Sequence, residues 1–335
     1  MNERAFQFLN FNMIEQSITN EINTLQAKLR KCKAQNQNDS EKLQLLVELV
    51  ELMKDQNFTK ACEYAHEAIE LAEKLCDTKA NAKAREGLAN SLWKLSEYEE
   101  SILQFRAALD LKLGLSDYYG VAQCYCGMGI VSGILEDNHT ALDYFDRALS
   151  SAQLAKHFLF SAVITGNIGQ VYFKLSRYED SMQCLQHAHD YFIEIGYFRG
   201  IADMLDGMAG IYVHRGQYEE GIEILRKSLA LRQQENYKRG IACSMLNIGI
   251  SNKQAGKPKQ AKFELETALS YTRSINLKIY DQELLQQLMD VCLELGETES
   301  FRKYLQDYER AQYEERKQKG KERNIMFKPS QTPTL

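Results

Sequence analysis

Proline is almost missing from this chain. Three occur in 335 residues, at positions 258, 329 and 333. A proline inside a helix removes a hydrogen bond and clashes with the preceding turn, so its absence before position 258 suits long helices better than a loop-rich β fold. Long apolar runs are missing too. No stretch approaches the roughly 18 apolar residues that a membrane-crossing helix needs. The opening MNERAFQFLNFNMIEQ carries Glu3 and Arg4 and has no apolar core segment, so it does not read as a secretory signal. Neither sign of charge dominates: 41 basic residues face 46 acidic ones, a net of −5. That balance argues against nucleic acid as a partner, which calls for a strongly basic face. The eight cysteines (32, 62, 76, 124, 126, 184, 243, 292) are not spaced as a disulfide framework. They read as reduced, mostly buried small hydrophobes of a cytoplasmic protein.

What the chain does have is a period. NIGQVYFKLSRYEDS (167–181) returns as NIGISNKQAGKPKQA (247–261), with GMAGIYVHRGQYEEG (207–221) between them. Small residues recur every 40 positions at Ala61, Ser101, Ala141, Ser181, Gly221 and Ala261. A second column holds Ala68, Ala108, Ala148, Ala188, Ser228 and Ala268; a third holds Leu49, Ala89, Gly129, Gly169, Ala209 and Gly249. Between columns, apolar residues follow helical spacing, as in Ile168, Tyr172 and Leu175. A turn such as LSRYED follows, then a second amphipathic helix such as EEGIEILRKSLAL (219–231). Small side chains where two helices cross let the axes come close. Each unit is thus a helix hairpin that must stack on neighbours to bury its apolar face.

This pattern resembles the tetratricopeptide repeat (TPR) family, which places Gly or Ala in its first helix, an aromatic three residues later and small residues in the second helix. Gly169, Tyr172, Tyr178, Ser181 and Ala188 fit it, as do Ala209, Tyr212, Gly216, Tyr218, Gly221 and Ser228. The resemblance covers residues 42 to about 308, roughly seven repeats. It implies an all-α fold, a right-handed α-solenoid with flanking helices. The period of 40 exceeds the usual 34, and the closing proline is missing. The extra residues are expected in the second helix and its loop. YYGVA (118–122), FRGIA (198–202) and KRGIA (238–242) align Gly120, Gly200 and Gly240, which read as helix C-caps. The longer repeat resembles the TPR regions of bacterial regulators and of animal polarity scaffolds.

Three segments are expected: an N-terminal helical extension (1–40), the TPR array (41–310), and a basic helix end with a disordered tail (311–335). In the extension Ile14, Ile18, Ile22, Leu25 and Leu29 form one stripe that packs on the first repeat. A homodimer contact through this helix is the alternative. The stretch 313–328 holds six basic and three acidic residues and reads as a solvated helix end.

The family's first helices line a concave groove, so the resemblance implies a peptide groove built from Lys83, Asn90, Lys94, Gln123, Asn167, Gln170, Lys174, Asp203, Asp206, His214 and Asn247, with Glu86 and Lys253 at matching positions. Asn167 and Asn247 match an asparagine that grips the backbone of the bound segment in longer-period relatives. An amide both donates and accepts, so it can hold an extended backbone without reading its sequence. TPR domains that clamp acidic C-termini carry a Lys-then-Asn pair four apart. Here the pair is Glu86 and Asn90, and an acid repels a carboxylate. Basic groove positions (Lys54, Lys94, Lys174, His214) and acidic ones (Asp203, Asp206, Glu283, Asp290) predict a partner segment of mixed charge with apolar anchors. Trp93, at a groove position, reads as packing.

Catalytic constellations are weak. Cys184 and His187 supply two ligands, too few for a metal site. Cys124 and Cys126 point apart on a helix and make no redox pair. No cofactor, catalytic residue or membrane contact is expected. The reading is a non-enzymatic scaffold that holds a partner's peptide or helix in its groove. The rival is a regulatory sensor whose repeats bind a signalling peptide or small ligand and change what the protein binds.

Overall fold

The computed structural model describes residues 3–35, 38–54 and 57–326, with side chains placed at 18–34, 38–54 and 57–317. The described residues are helical, without strands. In chain order the helices are α1 (Glu3–Gln35), α2 (Asp39–Met53), α3 (Phe58–Lys74), α4 (Thr78–Lys94), α5 (Tyr98–Gly114), α6 (Tyr118–Ile134), α7 (Asn138–Leu154), α8 (Phe158–Lys174), α9 (Tyr178–Glu194), α10 (Phe198–His214), α11 (Tyr218–Gln234), α12 (Lys238–Gln254), α13 (Pro258–Ser274), α14 (Asp281–Leu295) and α15 (Thr298–Met326). The chain is all-α, a helical-hairpin repeat of the solenoid class. It divides into two compact units, one built on residues 1–167 and the other on 168–321.

The period of 40 is two equal halves. Helices α3 to α13 all have 17 residues and start at 58, 78, 98 and so on to 258. The expectation that the second helix and its loop carry the extra length is therefore corrected: first and second helices match, and so do their three-residue turns. The middle residue of each turn is left-handed, at 76, 96, 116, 136, 156, 176, 196, 216, 236, 256 and 276. The next amide closes the helix end behind it, as Asp77 N–H does onto Ala72 O at 2.9 Å and Tyr197 N–H onto Phe192 O at 2.8 Å. The same residue then caps the helix ahead: Asp77 Oδ1 accepts from Ala80 N–H at 2.9 Å, and Asp117 Oδ1 from Gly120 N–H at 3.0 Å.

The glycine column at 120, 200 and 240 is not the C-cap. These glycines are the third residues of α6, α10 and α12, and they are buried. Each makes room for a long side chain eight residues earlier. A Cβ at Gly120 would lie 2.7 Å from Lys112 Nζ, at Gly200 2.6 Å from the Phe192 ring, and at Gly240 2.7 Å from Arg232 Cδ. In two other repeats the earlier residue is smaller and the later one large, Ala152 with Phe160 and Thr272 with Tyr280, while Ala72 and Ala80 are both small. Interiors pack to near-crystalline density, so one partner grows where the other shrinks.

Within residues 1–167, Ile22, Leu25 and Leu29 of α1 join Leu46, Leu49, Ala65 and Leu88 in one core, with Ile18 at its edge. The Ile14 side chain lies outside the described residues, as does the tail after 326. Phe105 and Phe145 fill the hairpins farther on, against Gly127 and Gly129. Ser101 Oγ donates to Ala89 O at 2.8 Å, where two small-residue columns cross. Within residues 168–321 the corresponding positions hold Leu185, Leu225 and Leu265, all buried. Ser181 Oγ donates to Gly169 O at 2.7 Å at the same crossing. The core of α13 to α15 adds Leu284, Leu285, Leu288 and Tyr304. All eight cysteines are free; four are buried and Cys76 is exposed.

Candidate functional site

The periodic columns are apolar or small, with two charged exceptions on second helices. At position 112, one turn from the end of α5, a lysine sits 3% exposed and pairs with Glu86 of α4, itself 15% exposed. Its Nζ also lies 3.4 Å from Gly120 O. Burial alone pushes this ammonium down; the facing Glu86 carboxylate, together with Cys124 and Asp117, outweighs it and leaves the group above its ordinary value.

At position 232, 120 residues later, an arginine sits 5% exposed in α11. Its Nη2 donates to Asp203 Oδ1 at 2.6 Å. Its Nη1 donates to Asp206 Oδ2 at 2.6 Å, to Ser244 Oγ at 2.7 Å and to Gly240 O at 3.2 Å. Burial pushes the Asp206 carboxyl up and Arg232 pulls it back, while the two acids hold the guanidinium higher still. A guanidinium does not give up its proton, and burial, only partly offset by Arg232, leaves the Asp206 carboxyl above its ordinary value. Asp206 Oδ1 is buried and has no hydrogen-bond partner.

Asp206 is one of the residues that line a cleft of about 260 Å³ between α8, α10 and α12. Phe173, Val213, Leu225 and Ile250 give it an apolar lining; Asp206, His214, Asn247, Ser251 and Gln254 supply the polar groups. His214 Nε2 lies 2.6 Å from Tyr178 Oη, and its ring meets Phe173 edge to face at 6.1 Å. Asn247 Nδ2 rests 3.8 Å from Cys243 Sγ, a weak contact that leaves the amide little committed. Three of the expected groove residues, Asp206, His214 and Asn247, thus meet on one cleft. Asp203 sits behind them through Arg232, so the two acids do not stand free of a protein partner.

The others do not join this cleft. Asn90 Nδ2 donates to its own helix at Glu86 O, 3.0 Å away. Lys94 Nζ reaches Lys54 O at 3.2 Å and lies over the Phe58 and Trp93 rings. Trp93 packs against the core around Phe105. Asn167 Nδ2 contacts Cys126 Sγ at 3.7 Å; burial pushes that thiol up to about 12. Gln123 is half-buried on α6, and Lys83, Gln170 and Lys174 are exposed. Lys253 pairs with Asp290 at 2.9 Å and Gln287 at 2.7 Å. No cluster of three His, Cys, Asp or Glu able to hold a metal occurs among the described residues. No helix there is long and apolar enough to cross a membrane.

Sequence reasoning missed Arg232 because it considered first helices only. The signal was present: a charged residue in the column Ala72, Lys112, Ala152, Phe192, Thr272.

The helices around the cleft are also where comparison with known proteins answers. A tetratricopeptide repeat model matches residues 200–274, α10 to α13. The chain carries tetratricopeptide repeats. No curated protein matches its sequence. Solved structures of similar fold include a Rap protein complexed with Competence and Sporulation Factor, 15% identical, with a TM-score of 0.68 over 96% of this chain and 89% of that one. A second is the Rap conjugation gene regulator of plasmid pLS20 with the Phr* peptide, 15% identical, TM-score 0.61, over 82% and 76%. A third is NprR with its cognate peptide NprX, 10% identical, TM-score 0.62, over 90% and 88%. At these identities the likeness is one of fold. Residues 200–274 match the tetratricopeptide repeat, and the fold of the chain resembles that of these solved structures.

Proposed function

We propose that the chain is a non-enzymatic cytoplasmic interaction protein whose first helices in residues 168–321 hold an extended segment of a partner. The observation that carries this is the cleft beside Asp206: an amide able to pair with backbone, set among apolar side chains. Asn247 serves the segment's backbone and Leu225 and Ile250 receive its apolar side chains, a division of labour typical of extended-peptide recognition. A short signalling peptide is favoured over a large partner by the structures of similar fold that were solved with peptides. In that case binding changes what the rest of the protein contacts, which is the sensor reading.

The test is a selection of random hexapeptides against the full chain, with winners measured by calorimetry on the protein and on Asn247→Ala. Hexapeptides that bind the protein and lose at least tenfold on Asn247→Ala, with matching circular dichroism, support the groove. Equal binding by both moves the site away from this cleft.

A further inference from the structure

We propose that a ledge of apolar side chains at the starts of α6 and α8 is a contact between two copies of this chain. The inference goes beyond the groove reading and does not depend on it.

The ledge lies where the turns 115–117 and 155–157 run side by side. Tyr119 stacks on His157 with ring centroids 4.2 Å apart and meets Phe160 edge to face at 5.5 Å. Around this stack Leu154 is 68% and Phe158 62% exposed, and Leu115, Tyr118 and Leu159 are exposed as well. The fold does not require apolar residues there, because an earlier repeat holds polar ones. Thr78 and Lys79 occupy the places of Tyr118 and Tyr119, and again of Phe158 and Leu159. Lys74, two periods before Leu154, pairs with Asp39 at 2.7 Å. Apolar side chains that the chain's own packing does not need, gathered in one patch, mark a surface that packs on something else.

The charges beside the ledge select the occupant. The two turns carry one acid, Asp117, and one base, Lys156, both exposed. A two-fold axis between the turns sets Asp117 of each copy against Lys156 of the other, so the contact is self-complementary. A partner of one charge sign would be repelled by one of the two. With these two side chains the ledge presents on the order of 600 Å², and a symmetric pair then buries about 1,200 Å², the low end of specific interfaces. The α1 stripe, the other route to a dimer, is already used: Ile22, Leu25 and Leu29 are buried in the core of their own chain.

The test is sedimentation equilibrium of the full chain from about 1 to 100 µM, a range suited to an interface of this size. A reversible dimer is expected. Phe158→Thr with Leu159→Lys installs the residues of the polar repeat; it should melt as the parent does and dimerise at least tenfold more weakly. Lys156→Glu sets acid against acid and should weaken the dimer similarly, in a left-handed turn position that already holds a glutamate at Glu136. Asp117→Lys sets base against base, and it should melt lower because Asp117 also caps α6. Mixing the Lys156→Glu chain with the Asp117→Lys chain restores both pairs, so the mixed dimer should form at least tenfold more tightly than either chain alone. A chain that stays monomeric across this range overturns the proposal. So does a dimer indifferent to Phe158→Thr with Leu159→Lys, which would move the contact to α1 or another face. A mixture that recovers nothing, with both chains folded by circular dichroism, overturns the two-fold pairing of Asp117 with Lys156.

Discussion

Positions 86–134 and 206–254 occupy the same places in the repeat, three periods apart, yet their side chains fill the space between helices differently. In the first, Lys112 meets a single acid, Glu86; in the second, Arg232 meets Asp203 and Asp206, because Lys83 has become Asp203. The cleft follows from five further exchanges. Trp93, Phe105, Gly127, Val131 and Ile134 correspond to Val213, Leu225, Asn247, Ser251 and Gln254. In the first stretch the Phe105 ring presses against Gly127 and fills the space. In the second a smaller leucine and an asparagine leave it empty and polar. The repeat is a scaffold that tolerates a buried charge; whether that charge becomes a site depends on the bulk in front of it.

The largest test of this comparison is to remove each internal cation. Arg232→Met strands Asp206 and should cost about 3–5 kcal/mol of unfolding free energy in urea, the usual effect of breaking a buried pair. Lys112→Met strands only Glu86 and should fall at or below the low end of that range. Adding Glu86→Leu to Lys112→Met should recover most of the loss. If the double variant stays as unstable as the single, the pair is not what holds the region.

Next come the glycines. Gly240→Ala should cost about 1–3 kcal/mol through overpacking against the Tyr237 ring and Arg232. Gly120→Ala should cost less, because Lys112 and Asp117 present flexible ends. Equal losses would break the idea that the glycine column is sized to its neighbour.

A pH series sharpens the contrast between the two cations. Lys112 is raised above 10.5 by Glu86, so its contribution is complete below pH 10.5 and is lost as pH climbs through the higher folded value. Arg232 is held higher still and keeps its charge. Urea midpoints at pH 9 and pH 11 should therefore show the gap between the parent and Lys112→Met shrinking, while that for Arg232→Met persists.

The smallest effect concerns the turns shared by both stretches. Glu136 and Gly256 occupy the same left-handed position, at φ 63° and 68°. Glu136→Gly should raise stability by up to about 1 kcal/mol, the strain relieved less the entropy lost. A loss would mean that Glu136 makes a contact worth more than its backbone strain.

Helices, hairpins and the 40-residue period were legible because packing repeats wherever Ala, Gly and Ser recur. The equal halves were less so: the left-handed turn residue is variously Cys, Ser, Glu, Lys, Asn or Gly, and a caps argument built on glycine alone chose the wrong column. Asp206, His214 and Asn247 could be found from position in the repeat. Arg232 could not be found that way, since its role depends on an acid 26 residues earlier and a glycine eight residues later, a pairing that no single helix displays.

The most direct measurement is methyl NMR of the full chain with the best selected hexapeptide. The account predicts shifts at Val213, Leu225 and Ile250 and none at Ile130, the counterpart of Ile250 in the first stretch, or at its neighbour Val131. Shifts at Ile130 and Val131 with Ile250 unmoved would contradict it.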